Sequence, residues 1–459
     1  MIRVPPGSKV YLHQAFRCCP FAGATSGQVH DYLEQNGFVV VREPAQADVH
    51  LLNTCGSDAQ QAALTWQVLH GLAGAPTPPT VVVIGCLVSI EPQQMAAELA
   101  PFPRSARFDP RHLSGLDAVF GAERVRVDDV QPALHNEYVG RDLSSGWFHV
   151  VASTGCLGAC EFCAIRRATG RPRSRPVDAV LAEVHRAQAA GLHDVLVVST
   201  DLSAWGHDLG LHVVDLVDAL TRAPGERMLA GESFEPTRFL AHFEALLPLL
   251  ASGRWSWIGL PMQSGSARVL QSMRREYAPD RLLDAVERLR TAAPDLVVRS
   301  DFIYGFGDET DDEFEASLVA SRSFSLPSFN AYQPRPGTAP LTVAPEVMRT
   351  RRDRAMAELH RRAQAGVPTI RRHAGSRPVA VDATPSPAAA GTEPWESPEG
   401  LRWLADHARR FRAVLDRHRS LVLDAGWVLA GAEARADAVV LRMRHADGRT
   451  VEVGLRPPA

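Results

Sequence analysis

Along most of this chain, short apolar runs typical of β-strands alternate with amphipathic runs typical of α-helices. Up to residue 142, strand patterns such as DVHLLNTC and TVVVIGC alternate with helix patterns such as AQQAALTWQVLHGLAG, and AVFGA is predicted as a final strand. Strands connected by helices form parallel sheets, because each crossover returns the chain to the same edge. The sequence therefore predicts an α/β protein with an N-terminal open α/β sheet domain over residues 1–142.

A second alternating series begins at WFHVVAS and continues to FNAYQP. Repeated βα units of this kind predict a full or partial (β/α) barrel domain over residues 143–374. A linker rich in Pro and Ala follows at 375–395. The last residues, 396–459, predict a small C-terminal α+β domain with one helix and a hairpin that turns at Asp447 and Gly448.

Cysteines follow several of the predicted strands in the N-terminal domain. Cys55 and Cys86 each come directly after an apolar strand, and Cys18 and Cys19 lie just past the first one. Because the carboxyl ends of parallel strands share one edge, these thiols should meet there. The chain shows neither a secretory h-region nor a run of 18 apolar residues, and its cysteine count is odd. We therefore expect reduced thiols in a cytoplasmic protein with no membrane partner.

Three further cysteines, Cys156, Cys160 and Cys163, lie in the segment STGCLGACEFC after the first barrel strand. Three thiolates can hold a [4Fe–4S] cluster and leave one iron without a protein ligand, where chemistry can occur. The alternative is a zinc site, which requires a fourth ligand, and the next candidate in the sequence is His185. The spacing favours the cluster.

The segment STGCLGACEFCAIRRATGRPRSRP resembles the start of the radical-SAM domain of methylthiotransferases, which modify tRNA adenosine or a ribosomal protein. The resemblance extends to LPMQSGSARVLQSMRREY, SDFIYGFGDETDDEF and AYQPRPGTAP, and it includes ADVHLLNTCGSDAQQAA and VVVIGC in the N-terminal domain. These blocks stand in the family's order and span roughly residues 8 to 365. The resemblance implies an enzyme that uses S-adenosylmethionine (SAM) and two [4Fe–4S] clusters.

The same resemblance assigns roles to individual residues. It implies that Cys156, Cys160 and Cys163 hold the radical-SAM cluster. It implies an auxiliary cluster held by Cys18, Cys55 and Cys86, with Cys19 as the alternative to Cys18. The candidate residues of the SAM pocket are Phe162, Arg173, Gln263, Ser264, Gly265 and Gly305. Structural hydrogen bonding and tight turns are the alternative roles for the polar residues and glycines of this set.

The chain also departs from the family. Gly259 stands where the family usually has histidine, and the small RNA- or protein-gripping barrel at the family's C-terminus is not recognisable. We therefore expect sulfur transfer to an unactivated carbon of a specialised substrate, such as a natural-product intermediate or a peptide. The alternatives are methylthiolation of tRNA and a non-catalytic iron–sulfur scaffold for electron transfer. The enzymatic roles require an external one-electron reductant of the flavodoxin or ferredoxin type.

Overall fold

A computed structural model describes residues 2–13, 19–57, 59–130, 146–366 and 368–375, together with the backbone of three strands between 427 and 455. Contacts divide the chain into two units, Met1–Leu359 with Pro368–Asp382, and His360–Val367 with Ala383–Ala459. Both predicted cysteine sites belong to the first unit. No helix among the described residues is long and apolar enough to cross a bilayer.

The first sheet is a five-stranded parallel sheet with strand order β2-β1-β3-β4-β5. Its strands are β1 Lys9–His13, β2 Val39–Val41, β3 Val49–Thr54, β4 Thr80–Gly85 and β5 Ser105–Phe108. Its helices are α1 Pro20–Gln35, α2 Ala59–Ala73, α3 Leu87–Ile90, α4 Pro92–Leu99 and α5 Leu116–Phe120. Apolar cores cover both faces of this sheet, as is usual for parallel sheets.

The prediction of a strand at AVFGA was wrong, because this segment ends helix α5. Leu116, Val119 and Phe120 are buried in this helix, which is the i, i+3, i+4 spacing of one helical face. The edge strand is β5, a short segment of mixed polarity that the apolar pattern did not reveal.

The second sheet has seven strands in the order β12-β11-β10-β9-β8-β6-β7, and it is parallel except for the edge pair of β6 and β7. The prediction of a partial (β/α) barrel is confirmed in this open form. The strands are β6 Phe148–Thr154, β7 Arg173–Ser174, β8 Asp194–Ser199, β9 Met228–Gly231, β10 Trp255–Gly259, β11 Val297–Tyr304 and β12 Leu326–Ala331.

The helices of this region are α6 Ile165–Thr169, α7 Val177–Ala189, α8 Val213–Arg222, α9 Pro236–Ala241, α10 Phe243–Leu250, α11 Ala267–Ser272, α12 Pro279–Ala292 and α13 Asp311–Ser321. All of them except α6 and α11 contribute buried apolar residues to the core on the outer face of the sheet. On the inner face, Trp147 and Trp257 pack edge to face at 6.4 Å between ring centroids. The guanidinium of Arg372 lies 4.3 Å from the Trp147 ring, so residues 368–375 cover the amino-terminal end of the barrel.

Helix α14, Pro345–Ala365, follows the barrel. The second unit contains an antiparallel sheet of β13 Trp427–Arg435, β14 Ala438–His445 and β15 Thr450–Leu455. Strands β14 and β15 pair as the predicted hairpin requires, whereas its turn at Asp447 and Gly448 lies outside the described residues. The predicted linker at 375–395, apart from Gly375, and the predicted C-terminal helix also lie outside them, and the three boundaries between the four predicted segments stay predictions.

Candidate active site

The segment with three cysteines forms a loop directly after strand β6. Gly155 has a φ of +84°, and a Cβ on this residue would lie 2.2 Å from the carbonyl oxygen of Arg171. The next residue, Cys156, donates its backbone N–H to Gly170 O at 3.0 Å. The loop then turns around Gly158, whose N–H donates to Cys156 Sγ at 3.1 Å. Only glycine fits at Gly155, so the sequence itself fixes where this loop begins.

The sulfur atoms of the loop lie on one side of it. A Cβ built on Gly158 would be 3.3 Å from Cys156 Sγ and 3.4 Å from Cys160 Sγ. Burial raises the pKa of Cys156 to about 12, with the carboxylate of Asp201 as the second cause, and burial also raises the pKa of Cys160. Metal binding must therefore displace protons from these thiols. No three His, Cys, Asp or Glu side chains within the described ranges are placed to bind a single metal ion.

The second set of thiols lies at the carboxyl edge of the first sheet. Cys55 follows β3 and Cys86 follows β4, and Cys19 precedes the first turn of α1. Burial raises the pKa of Cys86 well above its usual value, and the next causes are the neighbouring thiols of Cys55, Cys19 and Cys163. Cys19 therefore lies with Cys55 and Cys86. Cys18 lies outside the described residues.

A cavity of about 470 Å³ is lined by Cys19, Cys55 and Cys86 and extends to Thr154 and Arg173 of the second sheet. The two sets of thiols also meet through two short helices. Helix α3 begins after Cys86 and α6 begins after Cys163, and Ile90 of α3 packs with Ala164 and Ala168 in one apolar cluster. The structure thus brings together two cysteine sets that are about 70 residues or more apart in the sequence.

A chain of alternating charges lies beside the loop of Cys156. The Cys156 thiol donates to Asp201 Oδ2 at 3.4 Å, and Asp201 also accepts from Arg238. Arg238 lies 3.3 Å from Glu235, and Glu235 pairs with Arg275 at 2.6 Å. Asp201 follows strand β8, Glu235 and Arg238 follow β9, and Arg275 follows α11 in the segment after β10, so the barrel topology assembles them.

Three polar atoms of these charged residues are buried and have no hydrogen-bond partner: Asp201 Oδ1, Arg238 Nε and Arg275 Nε. Burying polar groups without partners is costly, so such atoms indicate a ligand. SAM carries an ammonium group for a carboxylate and a carboxylate group for arginines. The residues present therefore fit SAM. Sequence reasoning missed all four charged residues, because they lie in three segments that are far apart in the sequence.

Among the predicted SAM-pocket residues, Phe162 and Gln263 have side chains that fit a binding role. Phe162 lies 6.4 Å from Phe306 between ring centroids, and the Arg275 guanidinium lies 5.6 Å from its ring. Gln263 is buried with a φ of +71°, and its Oε1 has no partner. A non-glycine residue held in this backbone region indicates stored strain, which is typical of functional sites.

Ser264, Gly265 and Gly305 serve packing directly. Ser264 Oγ lies 3.3 Å from Ser317 Oγ and accepts from Ser266 N at 3.1 Å. A Cβ on Gly265 would lie 2.4 Å from Ala316 O, and one on Gly305 would lie 2.1 Å from Met348 Sδ. These contacts show how the three residues hold neighbouring segments together, and their role in the SAM pocket stays a prediction.

Arg173 lies away from the charged chain. It is exposed on the edge strand β7, and it lines the cavity that contains Cys55 and Cys86. Its position therefore joins it to the second cysteine set rather than to Phe162 and Gln263.

Two family models match the chain. The Radical SAM superfamily model matches residues 150–319, and a family described as Uncharacterized protein family UPF0004 matches residues 11–102. A ribosomal protein uS12 methylthiotransferase, RimO, of Rhodopseudomonas palustris is 31% identical over 74% of this chain and 79% of its own length. A protein of the same name from an Anaeromyxobacter species is 30% identical over 78% and 80% of the two chains.

Among solved structures, the radical SAM methyltransferase TsrM of Kitasatospora setae, with cobalamin and a [4Fe–4S] cluster bound, aligns with a TM-score of 0.52. The alignment covers 72% of this chain and 76% of that chain at 16% identity, so it shows a shared fold.

Proposed function

Since the chain belongs to the radical-SAM methylthiotransferase family, we propose that it transfers sulfur to a carbon atom of a protein or peptide substrate. The family supplies the reaction class: the protein is a radical-SAM methylthiotransferase with SAM and two [4Fe–4S] clusters as cofactors. The observation that carries the proposal is the pair of cysteine sets, joined by the contact of helices α3 and α6.

Residues that follow the barrel strands would hold SAM and one of the two clusters. Cys156, Cys160 and Cys163 would hold one cluster, and Asp201, which contacts Cys156, lies beside this site. Asp201 would accept from the SAM ammonium group, and Arg275 would orient its carboxylate. When bound, SAM and the reduced cluster supply a radical that removes a hydrogen atom from the substrate. A one-electron donor of the flavodoxin or ferredoxin type would reduce the cluster.

The second cysteine set would hold the auxiliary cluster. Cys55 and Cys86 would be two of its ligands, and we propose Cys19 as the third, because it lines the same cavity as these two residues. Cys18 is the alternative from the sequence. Single substitutions of Cys18 and Cys19 distinguish the two candidates, since loss of the true ligand removes this cluster and loss of its neighbour does not.

The inner face of the barrel supports a polar substrate. Glu232 and Arg299 pair at 2.9 Å across strand β10, and they do so at Gly259, where a Cβ would lie 3.6 Å from Glu232 Oε2. Asp301 lies 3.2 Å from Arg299 and also binds Ser328. About 30% of the Arg299 side chain and 31% of the Asp301 side chain are exposed on this inner face. These groups would receive a polar segment of the substrate, such as a peptide.

Protein substrates are favoured by the relatives, whose names specify ribosomal protein uS12. The test compares cells that produce the wild-type protein with cells that produce the Cys156→Ala variant, by mass spectrometry of ribosomal proteins, peptides and digested tRNA. The proposal predicts a methylthio or thiol addition on a protein or peptide only with the wild type. A new methylthio-nucleoside instead would establish the tRNA alternative. A protein that binds clusters but never cleaves SAM would be an electron-transfer scaffold.

A further inference from the structure

The segment 332–339, which we call the bridge segment, leaves strand β12 and contacts three parts of the molecule that carry cysteines. It begins at Tyr332 and contains Arg335, Gly337 and Ala339. The proposed function assigns no role to any side chain of the bridge segment. Its contacts with both cysteine sets nevertheless suggest a separate role.

One end of the bridge segment binds the N-terminal domain. Arg335 is 8% exposed, donates through Nε to Gly56 O at 3.2 Å, and pairs through Nη2 with Glu91. Gly56 follows Cys55 in the sequence, and Glu91 follows the helix α3 that begins after Cys86. A buried guanidinium makes directional charged contacts that a flexible surface pair does not make. Arg335 therefore joins the loops of two auxiliary-set cysteines to one another.

The other end binds the loop of the radical-SAM cysteines. Ala339 N donates to Glu161 O at 2.9 Å, between Cys160 and Cys163. Arg167 of α6 donates to Pro336 O at 2.5 Å and to Gly337 O at 2.6 Å. Gly337 has a φ of +71°, and a Cβ on it would lie 1.7 Å from Arg167 Nη2, so a larger residue would be strained and would displace this guanidinium.

We propose that the bridge segment, through Arg335, is a positioning element that sets the separation and orientation of the two iron–sulfur clusters. Sulfur transfer requires the carbon from which hydrogen is removed to lie close to both sites at once. Arg335 touches neither cluster, and it acts through Gly56 and Glu91. The inference rests on the proposed ligands, Cys156, Cys160 and Cys163 on one side and Cys55 and Cys86 on the other.

The experiment uses the full chain, reconstituted anaerobically with iron and sulfide and reduced with dithionite, without any substrate. The variants are Arg335→Met and Glu91→Gln, which weaken the same contact from its two ends. The matched control is Arg288→Met, which removes an exposed pair with Glu244 that lies 2.7 Å away on the outer helices. Iron and sulfide content, SAM cleavage and the electron paramagnetic resonance spectrum of the doubly reduced protein are measured.

The proposal predicts magnetic coupling between the clusters in the wild type and in Arg288→Met, and an altered or absent coupling in both bridge variants. SAM cleavage should stay within about threefold of wild type, because the barrel is untouched. Selective loss of the auxiliary iron, with the radical-SAM cluster retained, also supports it, because the same contacts hold the loops of Cys55 and Cys86. An unchanged coupling in both variants, or equal loss of both clusters, would overturn it. Absence of a second cluster in the wild type would instead refute the proposed ligands.

Discussion

The two cysteine sets reach the same region of the molecule by different routes. Cys156, Cys160 and Cys163 lie in one loop after strand β6, whereas Cys19, Cys55 and Cys86 come from three segments of the first sheet. The first site is local and depends on one loop. The second exists only when the strands β1, β3 and β4 are in register. Both sites use the same local device, a glycine with positive φ directly before a cysteine, at Gly155 and Gly85.

The largest expected effect is that the two cysteine sets support different steps, SAM cleavage and C–S bond formation. Cys156→Ala should abolish formation of 5′-deoxyadenosine from SAM, because no cluster can then bind and activate SAM at the barrel mouth. Cys55→Ala should retain this cleavage while losing C–S bond formation. The measurement is chromatography of 5′-deoxyadenosine after anaerobic reduction. Loss of cleavage in a folded Cys55→Ala protein would show that the sites do not function separately.

The two glycines provide a second comparison. Gly155→Ala and Gly85→Ala should each remove the cluster beside the substitution, since a Cβ would lie 2.2 Å from Arg171 O or 2.3 Å from Thr54 O. Positive φ alone costs a non-glycine residue about 1–2 kcal/mol. Gly253→Ala is the control, because Gly253 has a φ of +81° with no atom within 4 Å of its Cβ. The cluster content of each variant, read from its absorbance and iron, should be normal only in this control.

A smaller effect is expected at Asp201. Asp201→Asn keeps the size of the side chain but removes the charge that would face the SAM ammonium group. A charged hydrogen bond contributes about 1.5–3 kcal/mol, which corresponds to roughly a tenfold to hundredfold weaker binding of SAM. Calorimetric titration of SAM into the reconstituted protein measures this change. An unaltered dissociation constant would place the ammonium group elsewhere.

The smallest effect is expected at Arg173, the one predicted SAM-pocket residue that lies with the auxiliary set. Arg173→Gln should change the dissociation constant of SAM by less than about fivefold, because exposed charges contribute little. The same titration tests this expectation. A loss as large as that in Asp201→Asn would mean that SAM extends to the cavity beside Cys86.

Local patterns explain which features the sequence revealed. The strands that precede Cys55 and Cys86 are rich in apolar residues, and the C-x3-C-x2-C loop is a contiguous motif, so both could be predicted. Helix α5 was mistaken for a strand because AVFGA is short and apolar, and short apolar runs do not distinguish the two structures. Glu235 and Arg238 follow strand β9 and Arg275 follows strand β10, so the three side chains come together only in the folded barrel. Arg335 was visible only as part of a family block, since its partners, Gly56 and Glu91, are more than 240 residues away.

The central claim is that this chain holds two clusters on two independent thiol sets, and iron and acid-labile sulfide counts test it most directly. Anaerobically reconstituted wild-type protein should contain about eight irons, as two clusters of four. Replacing Cys156, Cys160 and Cys163 with Ala should leave only the irons of the auxiliary cluster, about four. Replacing Cys19, Cys55 and Cys86 with Ala should leave only those of the radical-SAM cluster, again about four. A wild-type protein with about four irons, or either triple variant with none, would contradict the account.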